Sequence, residues 1–205
     1  MQLIDAMRLR GLVPDVVTHN IAASVCSQTQ QWALALFLFA AIRQSGLTAD
    51  VISYSVVSSA CVEGEHWVRS LQLLGALQND GLQPDEIVCS AAINACATSQ
   101  KWSQALHTLR FMIRVRILVD VVSYSSAISS CEKGQMWAGA ILLLLEMLPQ
   151  AIEPNDITCN SVISALEKGR RWDWALVFLG DMSARGFWLG AVSYNAAISA
   201  CEKGL

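Results

Sequence analysis

Charge is scarce in this chain of 205 residues. Asp, Glu, Lys and Arg make up 15% of it and apolar residues 54%, where an ordinary soluble domain carries about 25% charged residues. Elements so poor in charge have to pack on more than one side. A long apolar run is also missing. The longest beside a helix, Trp32 to Ile42, is eleven residues, well short of the ~20 that cross a bilayer, so neither a membrane span nor a membrane partner is expected. The three histidines, His19, His66 and His107, are so placed that no two share a metal, and each is read as a surface or turn residue. Neither Cys-x-x-Cys nor His-x-Glu occurs, which removes the zinc-dependent base deaminases. The absence of a Gly-x-x-x-x-Gly-Lys-Ser/Thr loop removes the P-loop nucleotide binders. No catalytic residue, cofactor or metal is expected, and the chain is read as a non-enzyme.

What the chain does have is a period. Trp32, Trp67, Trp102, Trp137 and Trp172 stand 35 residues apart without a slip, the signature of a repeat protein. Other residue types keep the same beat: Cys26, Cys61, Cys96, Cys131 and Cys201, with Leu166 replacing one cysteine, and the small Ala35, Ser70, Ala105, Ala140 and Ala175. Gly and Pro mark the joins, as in Gly81-Leu82-Gln83-Pro84-Asp85. The expected organisation is one array of complete repeats 16–50, 51–85, 86–120, 121–155 and 156–190. Residues 1–15 match the second half of a repeat and residues 191–205 the first half. Five of the seven cysteines occupy one repeat position, so they read as small packing residues in a reducing compartment rather than disulfide or metal partners.

Each repeat divides in two. In 121–155, Val121, Tyr124, Ile128 and Cys131 recur at helical spacing, Glu132-Lys133-Gly134-Gln135 interrupts, and a second apolar run from Trp137 to Met147 follows. Asp15, Asp50, Asp85, Asp120 and Asn155 precede the first helices, and Thr18, Ser53, Ser123, Thr158 and Ser193 come three residues after this position; all are residue types that cap helix N-termini. The tryptophans open the second helices, where a large ring fills the wedge between its own hairpin and the next.

A 35-residue helical hairpin that opens with Val-Val-Ser-Tyr-Ser or Ile-Thr-Cys-Asn and closes with Gly-Leu-x-Pro-Asp resembles the pentatricopeptide repeat. The closest matches are Val192-Ser193-Tyr194-Asn195-Ala196-Ala197-Ile198 and Gly81-Leu82-Gln83-Pro84-Asp85, and the resemblance runs the length of the chain. It implies an all-α fold, a right-handed α-solenoid of helix-turn-helix repeats, and single-stranded RNA as partner, read at about one base per repeat by two or three side chains. The resemblance also implies organellar work, in mitochondria or chloroplasts, on RNA processing, stability, editing or translation, with RNA-processing proteins as further partners.

Residue by residue, the resemblance makes the second residue of each repeat sandwich a base: Val17, Ile52, Ile87, Val122, Ile157 and Val192, apolar every time. The fifth residue and the last select the base: Asn20 with Asp50, Ser55 with Asp85, Ser90 with Asp120, Ser125 with Asn155, Asn160 with Gly190, and Asn195 in the last partial repeat. Taken singly, a helical Ser is also merely small, and an Asp or Asn before a helix merely a cap. The family rule assigns uracil to the first pair, guanine to the second and third, adenine to the fourth and a pyrimidine to the fifth, a footprint of 5′-U-G-G-A-(U/C)-3′. Exchanging a carboxylate, which only accepts hydrogen bonds, for an amide, which also donates, fits the change from guanine to adenine.

Charge argues the other way. Nucleic-acid binders are usually basic, and this chain carries −3. The one basic repeat is 86–120, where Lys101, Arg110, Arg114 and Arg116 outnumber Glu86 and Asp120. The phosphate-touching lysine that the resemblance implies is present as Lys133, Lys168 and Lys203, but Gln28, Glu63 and Thr98 hold that place earlier. The rival reading is therefore a protein-binding α-solenoid scaffold, separated from RNA binding by its small response to salt. Met1-Gln2-Leu3 and Ala200-Cys201 fall in packing helices, so the opening residues read as neither signal nor transit peptide. The expectation is a piece of a longer array whose uncapped ends allow self-association.

Trp102→Ala is expected to lower stability by about 3–5 kcal/mol in chemical denaturation. A loss below about 1 kcal/mol would mean that the tryptophan row faces solvent.

Overall fold

Every helix start leaves backbone N–H groups without partners, and in the first helix of each complete repeat a side chain satisfies one of them. The computed structural model describes residues 7, 11, 13–64, 66–186 and 190–204. Among them eleven α-helices follow one another and there is no strand. The first helices are α1 (Val16–Gln28), α3 (Val51–Glu63), α5 (Glu86–Thr98), α7 (Val121–Lys133), α9 (Asp156–Lys168) and α11 (Ala191–Gly204). The second helices are α2 (Trp32–Gln44), α4 (Trp67–Asn79), α6 (Trp102–Val115), α8 (Trp137–Met147) and α10 (Trp172–Ala184). The helix expected within residues 1–15 lies largely outside the described residues.

Asp15, Asp50, Asp85, Asp120 and Asn155 each accept the N–H of the residue three places on, Thr18, Ser53, Val88, Ser123 and Thr158, at 2.8–2.9 Å. Asp50 and Ser53 form a complete capping box. Such a cap is worth about 1 kcal/mol over alanine. The second helices have no side-chain cap; Gln31, His66, Lys101, Met136 and Arg171 enter them through backbone geometry alone.

The chain forms two compact units, Met1–Ala95 and Cys96–Leu205, with the boundary inside α5. In the first unit α1 packs on α2 and on α3, and α3 packs on α2 and α4. In the second, α7 packs on α6, α8 and α9, and α9 on α8, α10 and α11. First helices thus stack directly on first helices in each unit, with second helices in a second layer. The core follows the repeat: Tyr54, Ala60, Cys61 and Leu77 are buried in the first unit, and Tyr124, Ile128, Cys131, Val162, Ile163 and Leu166 in the second. All seven cysteines are free and six are buried. Burial pushes the thiols of Cys61 and Cys131 up to about 11 and that of Cys89 to about 12, so they pack as small apolar groups.

The turn after a second helix needs a left-handed residue. Gly46, Gly81 and Gly186 supply it at φ of 72°, 75° and 81°, whereas Arg116 and Ala151 stand there at 62° and 56°.

Two expectations need correction. The tryptophan rings are half-buried rather than enclosed, and Trp172 is 38% exposed. Four of the five rings lie over a glycine of the following hairpin, Trp32 over Gly64, Trp102 over Gly134, Trp137 over Gly169 and Trp172 over Gly204, where a Cβ would collide with the root of the tryptophan side chain; for Trp67 that position is Ser99. His19, expected at the surface, is 1% exposed. It occupies the core position that Tyr54 and Tyr124 hold in other repeats, and its Nδ1 lies 2.8 Å from the Asp15 carbonyl. His66 is a turn residue, as expected, and meets the Trp32 ring edge-on at 4.0 Å.

Gly134→Ala is expected to destabilise the protein by about 1–3 kcal/mol, because the new methyl displaces the root of the Trp102 side chain. Gly180→Ala, where nothing lies within 4 Å, serves as the control in the same urea titration and should show no loss.

Candidate nucleic-acid interface

An apolar residue on a solvated helix face is normally tucked against a neighbour, so a periodic row left in water is informative. Val17, Ile52 and Ile87 in the first unit, and Val122, Ile157 and Val192 in the second, are all between 55% and 65% exposed. Every one is β-branched and therefore stiff at its first side-chain torsion. Three residues on, one helical step along the same face, come the polar Asn20, Ser55, Ser90, Ser125, Asn160 and Asn195. Asn20, Ser55 and Ser125 are 7%, 8% and 5% exposed. Polar groups are thus recessed beneath a projecting apolar row.

The recessed groups meet the capping residues of the next repeat. Asn20 Nδ2 donates to Asp50 Oδ1 at 3.1 Å. Ser55 Oγ lies 3.4 Å from Asp85 Oδ2, and Ser125 Oγ 3.3 Å from Asn155 Oδ1. Three of the expected base-selecting pairs are therefore in contact. Asn160 and Gly190 are not such a pair, since glycine has no side chain to offer; instead Ser193 Oγ donates to Asn160 Oδ1 at 2.6 Å. Ser90 and Asp120 are both half-buried, whereas Asn195 is exposed.

Capping also decides which atom is left over. Asp50 Oδ1 accepts from Ser53 N at 2.8 Å, from Ser53 Oγ at 2.7 Å and from Asn20, and no donor among the described residues reaches Oδ2. Burial raises the Asp50 carboxyl, but the hydrogen bonds from Ser53 and Asn20 outweigh it and hold the group below its ordinary value of 3.8. Asn155 Oδ1 likewise accepts from Thr158 N at 2.9 Å and Thr158 Oγ1 at 2.8 Å, which leaves its Nδ2 as a spare donor. The same scaffold presents an acceptor at Asp50 and a donor at Asn155.

Of the expected phosphate lysines, two are engaged. Lys168 Nζ pairs with Glu132 Oε1 at 2.6 Å and Lys203 Nζ with Glu167 Oε1 at 2.7 Å. Those carboxylates also accept from Ser164 and Ser199. Lys133 is exposed, and one repeat before Glu132 the chain has Ala97, which offers it no carboxylate. Sequence reasoning missed this ladder. Its signal was a 36-residue Glu-to-Lys spacing, which becomes a contact only once first helices stack on first helices. Among the described residues there is no cluster of three or more His, Cys, Asp or Glu that could hold a metal, and no helix is long and apolar enough to cross a membrane.

Residues 72–133 match the pentatricopeptide repeat domain, and residues 122–148 and 157–187 match the PPR repeat; together they span just over half of the chain. No curated protein matches the sequence. Among solved structures, the pentatricopeptide repeat protein PPR10 from maize is 23% identical, with a TM-score of 0.72 over 98% of this chain and 29% of that one. PPR10 in complex with an 18-nt psaJ RNA element is 19% identical, with a TM-score of 0.58 over 97% of this chain and 34% of that one. The PPR domain of Arabidopsis thaliana protein-only RNase P 1, solved in complex with tRNA, is 14% identical, with a TM-score of 0.76 over 88% of this chain and 95% of that one. These likenesses show the fold, the all-α helical-hairpin solenoid. The chain spans under a third of the length of the maize protein.

Asn20→Ala is expected to raise the Asp50 pKa, because a donor to the charged form is lost. The carboxyl 13C shift followed against pH checks this, and an unchanged midpoint would mean that the Asn20 bond does not form in solution.

Proposed function

Because the chain belongs to the pentatricopeptide repeat family, we propose that it binds single-stranded RNA along its first helices, one base per repeat. The observation that carries this is the exposed β-branched row set over recessed polar pairs: Val17, Ile52, Ile87, Val122, Ile157 and Val192 at 55–65% exposure. Water-exposed apolar side chains at a fixed period gain by covering the faces of unstacked bases, which every base offers, while the pairs below meet the base edges.

In this reading the repeats 16–50, 51–85, 86–120, 121–155 and 156–190 form one array, and Asn20 with Asp50 reads uracil. Ser55 with Asp85 and Ser90 with Asp120 read guanine, and Ser125 with Asn155 reads adenine through the spare amide donor. Asn160, lacking a partner side chain at Gly190, reads a pyrimidine weakly, and Asn195 would serve the next position. Lys133 is the principal phosphate contact, because Lys168 and Lys203 already carry carboxylate partners. The array acts passively, by covering a transcript segment in a mitochondrion or chloroplast, and any chemistry belongs to other domains or partners.

Fluorescence anisotropy of a single-stranded RNA carrying U-G-G-A-U, against one carrying A-G-A-G-U, tests this over a salt series. The first should bind more tightly, with affinity falling as salt rises. Asn155→Asp should move the preference at the fourth base from adenine to guanine. Equal affinities would overturn the base assignments, and no binding at low salt would favour the protein-scaffold reading.

A further inference from the structure

Most selecting pairs have a third member. The third residue of the following repeat carries a hydroxyl at Ser53, Ser123, Thr158 and Ser193, and at Ser53, Thr158 and Ser193 that hydroxyl bonds a selecting side chain. Ser53 Oγ donates to Asp50 Oδ1 at 2.7 Å, Thr158 Oγ1 to Asn155 Oδ1 at 2.8 Å, and Ser193 Oγ to Asn160 Oδ1 at 2.6 Å. Thr158 is also 2.7 Å from Ser125 Oγ, so it joins both members of its pair. Ser125 and Thr158 have one hydrogen each. Ser125 gives its hydrogen to the Val121 carbonyl at 2.6 Å and Thr158 gives its own to Asn155 Oδ1, leaving Ser125 Oγ as an acceptor and Asn155 Nδ2 as a donor. An amide is nearly symmetric in shape, so its reading depends on which end is held, and here every donor points at Oδ1.

One repeat lacks the hydroxyl. Val88 follows Asp85 and gives it only a backbone N–H, at 2.9 Å. There Asp85 Oδ2, the atom left over at Asp50, faces Ser55 Oγ at 3.4 Å. Ser55 gives its one hydrogen to the Val51 carbonyl at 2.8 Å, so Asp85 is held through the Val88 N–H and less firmly than Asp50 Oδ1.

We propose that the third-position hydroxyl is a positioning residue for base selection: it orients the selecting pair of the preceding repeat, and its replacement by Val88 makes the Ser55 and Asp85 pair the less discriminating reader. This rests on the RNA-binding reading above and adds to it a residue that touches no base.

Thr158→Val tests the inference. Valine keeps the shape, and position 88 shows that the fold accepts it. The readout is the ratio of affinities for RNAs with adenine or guanine at the fourth base of U-G-G-A-U, measured by anisotropy on the full chain. The ratio should fall about two- to tenfold, the effect of one neutral hydrogen bond, with the thermal midpoint unchanged, and Thr158→Ser should restore it. Val88→Thr should sharpen guanine over adenine at the second base by a similar factor. A wild-type protein that discriminates at the fourth base, with Thr158→Val discriminating equally well, would overturn the inference while leaving RNA binding intact. A wild-type protein that binds neither RNA would overturn the reading and the inference together.

Discussion

The hydrogen bond from a backbone N–H at the start of α1, α3, α5, α7 and α9 to an Asp or Asn oxygen of the residue before the helix ties the fold to the candidate interface. A helix start must find such an acceptor, and the side chain that supplies it at Asp50, Asp85 and Asn155 is the one that meets Asn20, Ser55 and Ser125 across the join. Folding therefore takes one oxygen of the carboxylate or amide and aims the rest of the group away from the helix. At Asp50 and Asn155 what remains is respectively an acceptor and a donor, a distinction that a base edge can report. Under the proposed function, cap and reader would be the same atom group, and the cap geometry would set the reading geometry.

Two further constraints act on the same face. The apolar row is exposed because first helices bury their other sides against one another and against the second layer, which leaves position two of each repeat outward. The electrostatics are restrained by the carboxylate ladder: Glu132 and Glu167 hold Lys168 and Lys203. Burial raises the Glu167 carboxyl, but its bonds to Lys203 and Ser199 prevail and lower it overall. With a net charge of −3 the chain offers little for phosphate neutralisation, so under the proposed function more of the recognition would fall on base contacts.

Much of this was legible in the residues. The 35-residue beat of Trp32 to Trp172 placed the hairpins, Asp15 to Asn155 placed the first-helix starts to the residue, and the apolar and polar columns picked out the exposed row and the polar pairs beside it. What escaped depends on contacts between repeats. The half-burial of Trp102 follows from Gly134 in the next hairpin, a column visible at Gly64, Gly134, Gly169 and Gly204 but meaningless until the ring is seen to lie over it. His19 was misplaced because a titratable side chain in a tyrosine position reads as polar by type and apolar by place. The Thr158 link to Ser125 could not be read locally, since its partners are 3 and 33 residues away.

Methyl NMR of the free protein, titrated with U-G-G-A-U RNA, tests the account most directly. Ring currents from sandwiched bases should shift the methyls of Val17, Ile52, Ile87, Val122, Ile157 and Val192, while those of Leu142 and Val177, exposed on the second helices, stay in place. Shifts confined to the second helices, or none at concentrations where RNA is bound, would contradict it.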